Sequence, residues 1–263
     1  MSEAPILLSR DGAIATITLN RPAAGNTIDM PLAAALAAAL DEIVDDPAIR
    51  CVVLTGTGKL FCGGGDIGAF AAAGDNAGTF LGDLATALHA SVSRLAAMAK
   101  PLVVLVNGPA AGAGMSLALL GDVVLAARSA HFTAAYGMVG LTPDGGMSWL
   151  LPRLVGLRHA QDMILTNRRV GAEEAAAIGL VTRAVDDADL VAAGQAVAAR
   201  LAESSAASLA GARALLAGSL LNPLDVQLDL EARTIAAAGA TPESREGVAA
   251  FLGRRKPNFI GVS

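Results

Sequence analysis

The sequence predicts an α/β fold that ends in a helical region. A strand, a glycine-containing loop and a helix follow one another three times, which is typical of short strands linked by crossover helices. Hydrophobic residues make up 54% of the 263 residues and aromatic residues only 3%. The long alanine- and leucine-rich segments favour helix. After residue 185 the strand patterns stop, and helical patterns continue to the end of the chain.

The first elements are a hairpin, a helix and a buried strand. The segment "ILLSRDGAIATITLN" (residues 6–20) predicts two short strands around Asp11-Gly12. Residues 30–45 form an amphipathic helical pattern, and "RCVVLTG" (residues 50–56) is a buried strand pattern. A glycine loop, "GTGKLFCGGGDIG", follows. We expect residues 68–79 to be mobile and residues 79–99 to form a helix.

The rest of the chain repeats this alternation once more and then becomes helical. "PLVVLVNG" (residues 101–108) and "DVVLAAR" (residues 122–128) predict strands, with a glycine turn and a helix near Gly114 between them. A last strand pattern is "GLVTRAV", ending at Val185. From Asp187 helices follow one another, one beginning at Thr241-Pro242-Glu243. We expect a core over residues 1–198 and a helical oligomerisation region over residues 199–263.

Composition excludes several functional classes. The net charge of −5 argues against nucleic acid, which needs clustered cations. Cys51 and Cys62 alone form neither a disulfide framework nor a metal site, so we expect buried thiols, a reducing compartment and no metal. Residues 101–121 are uncharged, but their Asn-Gly-Pro and glycine cluster would leave backbone groups unpaired in lipid. With no secretory pattern at the start, we expect a cytoplasmic protein without a membrane span.

Several catalytic motifs are incomplete. "GTGKL" lacks the Ser/Thr that follows the lysine of a phosphate-binding loop, and "GAGMSL" lacks the third glycine of a dinucleotide fingerprint. No nucleophile elbow surrounds Ser116. His89, His131 and His159 are isolated in the sequence, which favours core or surface roles over catalysis.

Two glycine-containing turns can place backbone donors at one point. Gly65 follows one predicted strand, and Ala113 lies in the turn after the next. Small residues let a ligand approach the backbone, and the N–H groups at a helix start favour negative charge. If neighbouring strands bring the turns together, the two N–H groups form an oxyanion hole. The alternative is a pair of tight turns without a ligand.

Asp144 is the only acid between Ala134 and Gly156. Pro143 precedes it, two glycines follow it, and apolar residues such as Met138, Val139, Leu141 and Trp149 surround it. One interpretation is a proton shuttle aimed into a dry pocket. The other is a surface carboxylate in a Pro-Asp-Gly turn, which is a common pattern.

The motifs "FCGGGDI", "VNGPAAGAGMSLALLGD", "LTPDGG", "LPRLVG" and "AFLGRRKPNF" resemble the enoyl-CoA hydratase/isomerase (crotonase) superfamily. The resemblance runs from Leu19 to Phe259. It implies a spiral of ββα units, a helical C-terminal trimerisation region, and a homotrimer or a hexamer made of two trimers. It also implies an acyl-CoA thioester substrate, with coenzyme A as part of the substrate and no separate cofactor. The thioester oxygen would accept from Gly65 and Ala113.

The same resemblance bears on the reaction. The two glutamates of the hydratases fall on Ser116 and Tyr136, which are poor bases at neutral pH. Asp144 lies where isomerases of the superfamily carry an aspartate. "GLTPDGGMSWLLPRLVG" is most similar to the ring-epoxide isomerases of phenylacetate breakdown, 2-(1,2-epoxy-1,2-dihydrophenyl)acetyl-CoA isomerases. An isomerase is therefore expected, with a specialised hydratase or a non-catalytic acyl-CoA-binding protein as alternatives.

The resemblance also assigns substrate contacts. Arg21, Ala24 and Asn26 match the segment on the adenine side, and Lys256 and Phe259 match tail residues that reach a neighbouring subunit's coenzyme. A solvated basic tail is the alternative for the last two. Next to Gly65, we expect Asp66, Ile67 and Gly68 to contact substrate, together with Ser116 and Tyr136; Asp66 can alternatively stabilise its own turn.

Overall fold

A computed structural model of the chain describes residues 4–262. It contains a six-stranded sheet in the order β1-β2-β3-β4-β6-β9 and a small sheet in the order β5-β7-β8. The strands are β1 (Ile6–Asp11), β2 (Ile14–Leu19), β3 (Cys51–Gly56), β4 (Leu102–Val106), β5 (Ala110–Ala111), β6 (Val123–Ala127), β7 (His131–Thr133), β8 (Val170–Gly171) and β9 (Arg183–Val185). Only the β1–β2 and β7–β8 pairs are antiparallel.

Helices connect these strands and then continue alone. They are α1 (Met30–Ile43), α2 (Ile67–Ala72), α3 (Ala77–Ala97), α4 (Ala113–Ala118), α5 (Met147–Thr166), α6 (Ala172–Ala177), α7 (Leu190–Ala202), α8 (Ala206–Ser219), α9 (Leu224–Gly239) and α10 (Pro242–Leu252). α1 and α3 pack on each other, and α7 packs on β3, β4 and β6. Parallel strands are covered on both faces in this way, which explains why β4 is apolar throughout and fully buried.

The predicted fold class and most of the predicted elements are confirmed. The hairpin turn is formed by Gly12 and Ala13, one residue later than the predicted Asp11-Gly12 pair. The uncharged segment 101–121 is a buried strand, a turn and a short helix, as expected. Thr241 begins α10 by accepting a hydrogen bond from the Ser244 N–H at 3.1 Å. None of the helices between residues 4 and 262 has the length and apolar character needed to cross a membrane.

Two expectations about organisation stay predictions. Residues 68–79, expected to be mobile, form most of α2, a short 3₁₀ turn and the start of α3. The division expected at residue 198 falls inside α7, which packs on the large sheet. A division between core and helical region remains a prediction, but the continuous helix places its start no earlier than the end of α7.

Polar side chains attach the C-terminal helices to the core. Arg213 on α8 pairs with Asp122 at 2.6 Å and donates to the Leu95 carbonyl at 2.8 Å. Glu243 on α10 pairs with Arg50 at 3.1 Å and accepts from the Ser205 hydroxyl at 2.6 Å. These helices and the turn between α8 and α9 carry large apolar side chains that are 62–82% exposed, namely Leu216, Leu220, Leu221, Leu224, Ile235, Phe251 and Leu252.

Candidate active site

The turns after β3 and β4 meet at one edge of the large sheet. The two strands are parallel neighbours, so their C-terminal ends lie side by side. Cys62 and Ala110 form a parallel bridge between the turns, and the Ala111 N–H donates to the Cys62 carbonyl at 2.9 Å. The turns border a cavity of about 430 Å³ lined by Gly65, Ala113 and Asp144, among others. The predicted convergence of the two turns is confirmed.

Glycine is required where the two turns touch. Gly64 has φ +96°, and a Cβ on it would lie 2.9 Å from the Ala111 carbonyl and 3.5 Å from the Ala113 nitrogen. Gly114 packs directly on Cys62, because a Cβ there would lie 2.6 Å from the Cys62 Cβ. Real Cβ atoms are not found closer than about 3 Å to another heavy atom, so side chains at either position would push the turns apart.

The backbone N–H groups of Gly65 and Ala113 have no acceptor among residues 4–262. Ala113 is the first residue of α4, where an N–H group has no partner within the helix. Gly65 pairs with Ile28 in a parallel bridge whose hydrogen bonds use the Gly64 carbonyl and the Asp66 N–H, so the Gly65 N–H is left free. Both residues line the same cavity. Two backbone donors without an acceptor in the described part of the chain therefore border one cavity.

Asp144 lines the cavity and contacts Ser116 and Tyr136, the two residues that the resemblance aligned with glutamates. The Tyr136 hydroxyl donates to its Oδ1 at 2.6 Å. The Ser116 hydroxyl donates to its backbone carbonyl at 2.9 Å and lies 3.3 Å from the Tyr136 hydroxyl. The Asp144 side chain is 31% exposed, whereas Ser116 is fully buried. The three side chains thus form one cluster around a single carboxylate.

The environment of Tyr136 keeps its phenol protonated. Burial raises the pKa of Tyr136 well above its ordinary value, and the neighbouring carboxylate of Asp144 raises it further. A phenol in this state donates a hydrogen bond and cannot serve as a base. Tyr136 therefore acts as a hydrogen-bond donor to the Asp144 carboxylate and not as a second base.

His89 lies next to the turn formed by Asp144 and Gly145. Its isolated position in the sequence did not indicate this contact. Its Nε2 accepts from the Gly145 N–H at 3.0 Å and lies 3.8 Å from Asp144 Oδ2. The contact joins α3 to a turn 56 positions further along the chain. No local motif could have revealed it.

The remaining walls of the cavity are apolar. Three of the four predicted wall residues line it, namely Met138, Val139 and Leu141. Trp149 does not, because its ring is 44% exposed and lies under the Arg153 guanidinium, 4.0 Å from the ring centroid. No sequence motif indicated the opposite wall, which α2 and α3 supply with Phe70, Phe80, Leu81, Leu84 and Leu88.

The N-terminal segment assigned to substrate is largely occupied by internal contacts. The Arg21 guanidinium pairs with Asp29 at 3.0 Å and with Asp66 at 3.3 Å. Asn26 is fully buried, and its amide donates to the carbonyls of Thr57, Leu60 and Phe61. The Asn26 side chain is therefore structural rather than ligand-facing. Ala24 ends an exposed 3₁₀ turn, and contacts from Arg21, Ala24 or the Asn26 backbone to a ligand remain predictions.

Of the three predicted contact residues that follow Gly65, two line the cavity and one does not. Asp66 and Ile67 line the cavity, but Asp66 also begins α2 by accepting from the Ala69 N–H at 3.1 Å. That hydrogen bond, together with Arg21, holds the pKa of the Asp66 carboxyl below its ordinary value. Asp66 is thus an ionised cap whose charge is already paired. Gly68 lies further along α2, outside the cavity lining.

The C-terminal residues lie away from this cavity. Lys256 pairs with Glu203 at 2.7 Å, and Phe259 packs near Gly247. Both line a separate shallow depression. A role for them at a neighbouring subunit's ligand remains a prediction.

The structure also bears on metals and thiols. Among residues 4–262 no group of three or more His, Cys, Asp or Glu side chains is arranged to hold a metal ion. Cys51 and Cys62 are both buried, as predicted, and burial raises the pKa of each thiol to about 12. Such thiols are inert toward substrates.

Comparison with known proteins identifies the family. The enoyl-CoA hydratase/isomerase profile matches residues 9–261. A Rhodobacter capsulatus protein described as "Probable enoyl-CoA hydratase" is 42% identical, covering 94% of this chain and 95% of its own. The Escherichia coli 1,2-epoxyphenylacetyl-CoA isomerase is 39% identical, covering 97% and 98%.

A solved structure of similar fold supports the same family. The crystal structure of an enoyl-CoA hydratase from Polaromonas sp. JS666 superposes with a TM-score of 0.92 at 33% identity, covering 96% of this chain and 98% of that one. The profile, the relatives and the fold give one result. This chain belongs to the enoyl-CoA hydratase/isomerase (crotonase) family of enzymes that act on acyl-CoA thioesters.

Proposed function

We propose that this enzyme is an acyl-CoA isomerase in which Asp144 moves the proton. The observation that supports the proposal is that, among residues 4–262, Asp144 is the one carboxylate lining the cavity that no arginine or lysine neutralises. Asp144 faces the same space as the free N–H groups of Gly65 and Ala113, and a neutral phenol rather than a second acid is its hydrogen-bond partner. The other acid of the cavity, Asp66, is neutralised by Arg21.

The arrangement supports proton transfer better than hydration. Addition of water needs one group to activate the water and a second to deliver a proton. Here the two groups beside Asp144 are the Ser116 hydroxyl and the Tyr136 phenol. Both stay protonated at neutral pH and are poor bases, and burial raises the pKa of Tyr136 further. Isomerisation needs only one group that accepts a proton and returns it.

In the proposed reaction the thioester oxygen accepts from Gly65 and Ala113. Asp144 removes a proton from an acyl carbon, and the electron pair moves toward the thioester to form an enolate or dienolate. The two N–H groups stabilise the negative charge, and one such donor contributes about 2.7–4 kcal/mol. Protonated Asp144 then returns the proton to another carbon, which shifts the double bond. No other cofactor takes part, because coenzyme A belongs to the substrate.

The cavity walls indicate the class of acyl group. Phe70, Phe80, Leu84, Met138 and Val139 line the same space as Asp144. An apolar unsaturated chain or a ring derived from phenylacetate matches such walls. The 39% identical Escherichia coli 1,2-epoxyphenylacetyl-CoA isomerase supports including the ring epoxide among the substrates tested.

We also propose a homotrimer, or a hexamer of two trimers. The exposed leucines and phenylalanine of α8, α9 and α10 support this assembly, because monomers rarely expose apolar patches of that size.

The test of the function is Asp144→Asn, assayed with a panel of enoyl-, dienoyl- and phenylacetyl-derived CoA esters. Asparagine keeps an oxygen that accepts from Tyr136, so folding and acyl-CoA binding should persist. Removing a general acid–base costs about 10²- to 10⁴-fold in kcat. The matched control is Asp75→Asn, because Asp75 is an exposed acid between α2 and α3 that does not line the cavity. Unchanged turnover by Asp144→Asn would refute the assignment.

Hydration is the second candidate, and the name of the Rhodobacter capsulatus relative favours it. Water labelled with ¹⁸O separates the two reactions. Label in the product indicates hydration, whereas deuterium from D₂O at carbon with no label in oxygen indicates isomerisation.

A further inference from the structure

We propose that His89 is a positioning residue that fixes the Asp144 turn while remaining uncharged. The inference rests on the proposed function, because it concerns the same proton-transferring carboxylate. The His89 imidazole holds the peptide group immediately after Asp144, and it does so from a different element, α3, which also forms a wall of the cavity.

The turn is held from two sides. On one side Gly145 packs on α4, since a Cβ there would lie 2.8 Å from the Ser116 Cβ. On the other side α3 approaches through His89, whose Nε2 is 3.0 Å from the Gly145 nitrogen. Gly145 has φ +61° and Gly146 has φ +84°, so the backbone here needs glycine. The carbonyl of Asp144 accepts from the Met147 N–H at 3.1 Å and the carbonyl of Gly146 accepts from the Leu150 N–H at 2.9 Å. The Gly145 N–H has no main-chain acceptor among residues 4–262, and His89 is the group that accepts from it.

Three polar side chains then account for the placement of Asp144. Ser116 donates to its backbone carbonyl, Tyr136 donates to its carboxylate, and His89 accepts from the next N–H. Both polar groups of the peptide bond that joins Asp144 to Gly145 are thus held by side chains. Without His89 this peptide group would be held at its carbonyl but not at its N–H, and the orientation of the adjoining carboxylate would be less fixed.

The hydrogen bond defines the state of the imidazole. A ring nitrogen that accepts from an N–H has a lone pair, so Nε2 carries no hydrogen and the proton of neutral His89 resides on Nδ1. In this tautomer the 3.8 Å contact between Nε2 and Asp144 Oδ2 is not an ion pair. His89 therefore positions the carboxylate without offering it a competing proton.

His89 can be replaced without damage to the core. Its side chain is 47% exposed, and the hydrogen bond to Gly145 is its described polar contact apart from Asp144. A substitution should consequently alter catalysis more than folding. The informative pair is His89→Gln and His89→Leu, because a glutamine amide oxygen can accept from the Gly145 N–H, whereas a leucine side chain cannot accept.

The first experiment observes the resting protein. With ¹⁵N-labelled histidine at mildly alkaline pH, two-bond ¹H–¹⁵N spectra should show His89 as the Nδ1–H tautomer. The second measures steady-state kinetics. His89→Leu should lower kcat about tenfold, the effect of losing one hydrogen bond at the transition state, with KM and Tm little changed. His89→Gln should restore most of kcat.

The matched controls are His159→Leu and His159→Gln, because His159 is an exposed histidine of α5 outside the cavity. An Nε2–H tautomer for resting His89, or an unchanged kcat in His89→Leu while Asp144→Asn is inactive, would overturn this inference alone. Full activity of Asp144→Asn would instead overturn the proposed function, and His89 would then have no proton shuttle to position. The two failures are therefore distinguishable.

Discussion

Replacing Gly114 with alanine should separate Gly65 and Ala113, the two proposed oxyanion donors. The added methyl carbon would lie 2.6 Å from the Cys62 Cβ and closer still to the Cys62 carbonyl oxygen. Carbon atoms pack best at about 3.5–4.0 Å, so α4 and the Cys62 loop must move apart by about 1 Å. Overpacking of this kind costs about 1–3 kcal/mol of stability. A misplacement of about 1 Å costs on the order of 10²-fold in rate.

Thermal unfolding measures the loss of stability in Gly114→Ala. Steady-state kinetics on a substrate accepted by the parent enzyme measure the loss of rate. The control is Gly78→Ala in α3, where a Cβ meets nothing within 4 Å and alanine should stabilise the helix by up to about 1 kcal/mol. We expect Gly114→Ala to lose kcat by about two orders of magnitude and to unfold at lower temperature. If Gly114→Ala keeps the parent's kcat, the close contact between the turns does not set the donor geometry.

Three other features of the molecule can be tested by substitution. Tyr136→Phe removes the 2.6 Å hydrogen bond to Asp144, so kcat should fall about 10- to 100-fold with little change in KM, as measured by steady-state kinetics. Burial raises the pKa of Glu243, but hydrogen bonds from Ser205, Ala207, Ala206 and Arg50 outweigh it and hold that pKa below its ordinary value. The stability from Glu243 is therefore present above pH about 4.5 and is lost as pH falls through the lower folded-state value. Denaturant titrations should show Glu243→Gln about 2 kcal/mol less stable at pH 7, with the difference shrinking in acid. Sedimentation velocity should show a trimer or hexamer that Phe251→Asp dissociates, since Phe251 is 82% exposed on the separated chain; a parent monomer would refute the proposed assembly.

Elements with strong local signals were predictable from the sequence. The apolar runs of residues 51–54 and 102–106 contain adjacent valines and indicate buried strands. Thr241-Pro242 combines a cap with the residue preferred in a first helical turn. The helix α5 carries no such signal. Pro152 lies inside it, and Gly156 has non-helical angles that divide it, so its apolar residues follow no single helical period. The small sheet was missed because strands of two or three residues have no measurable alternation.

The candidate site was predictable only where motifs carry it. Gly65, Ala113 and Asp144 lie in short patterns that resemble a known family, and the structure places all three around one cavity. His89 and Phe80 reach that cavity region from a long helix whose sequence shows only ordinary amphipathic spacing. Asn26 was predicted to contact substrate, but its side chain is structural. Residue type alone does not distinguish a buried amide that donates to three carbonyls from one that contacts a ligand.

The proposed oxyanion donors and the proposed proton-transferring acid are held in place by different kinds of contact. Gly65 and Ala113 offer main-chain atoms whose placement depends on two adjoining strands and on glycine packing. Asp144 depends on three side chains contributed by α3, α4 and the turn at Tyr136. In the proposed reaction, substitutions around Asp144 would therefore change the proton transfer while leaving the contacts to the thioester oxygen unchanged. An architecture of this kind can acquire new reactions by exchanging a few side chains, without rebuilding its scaffold.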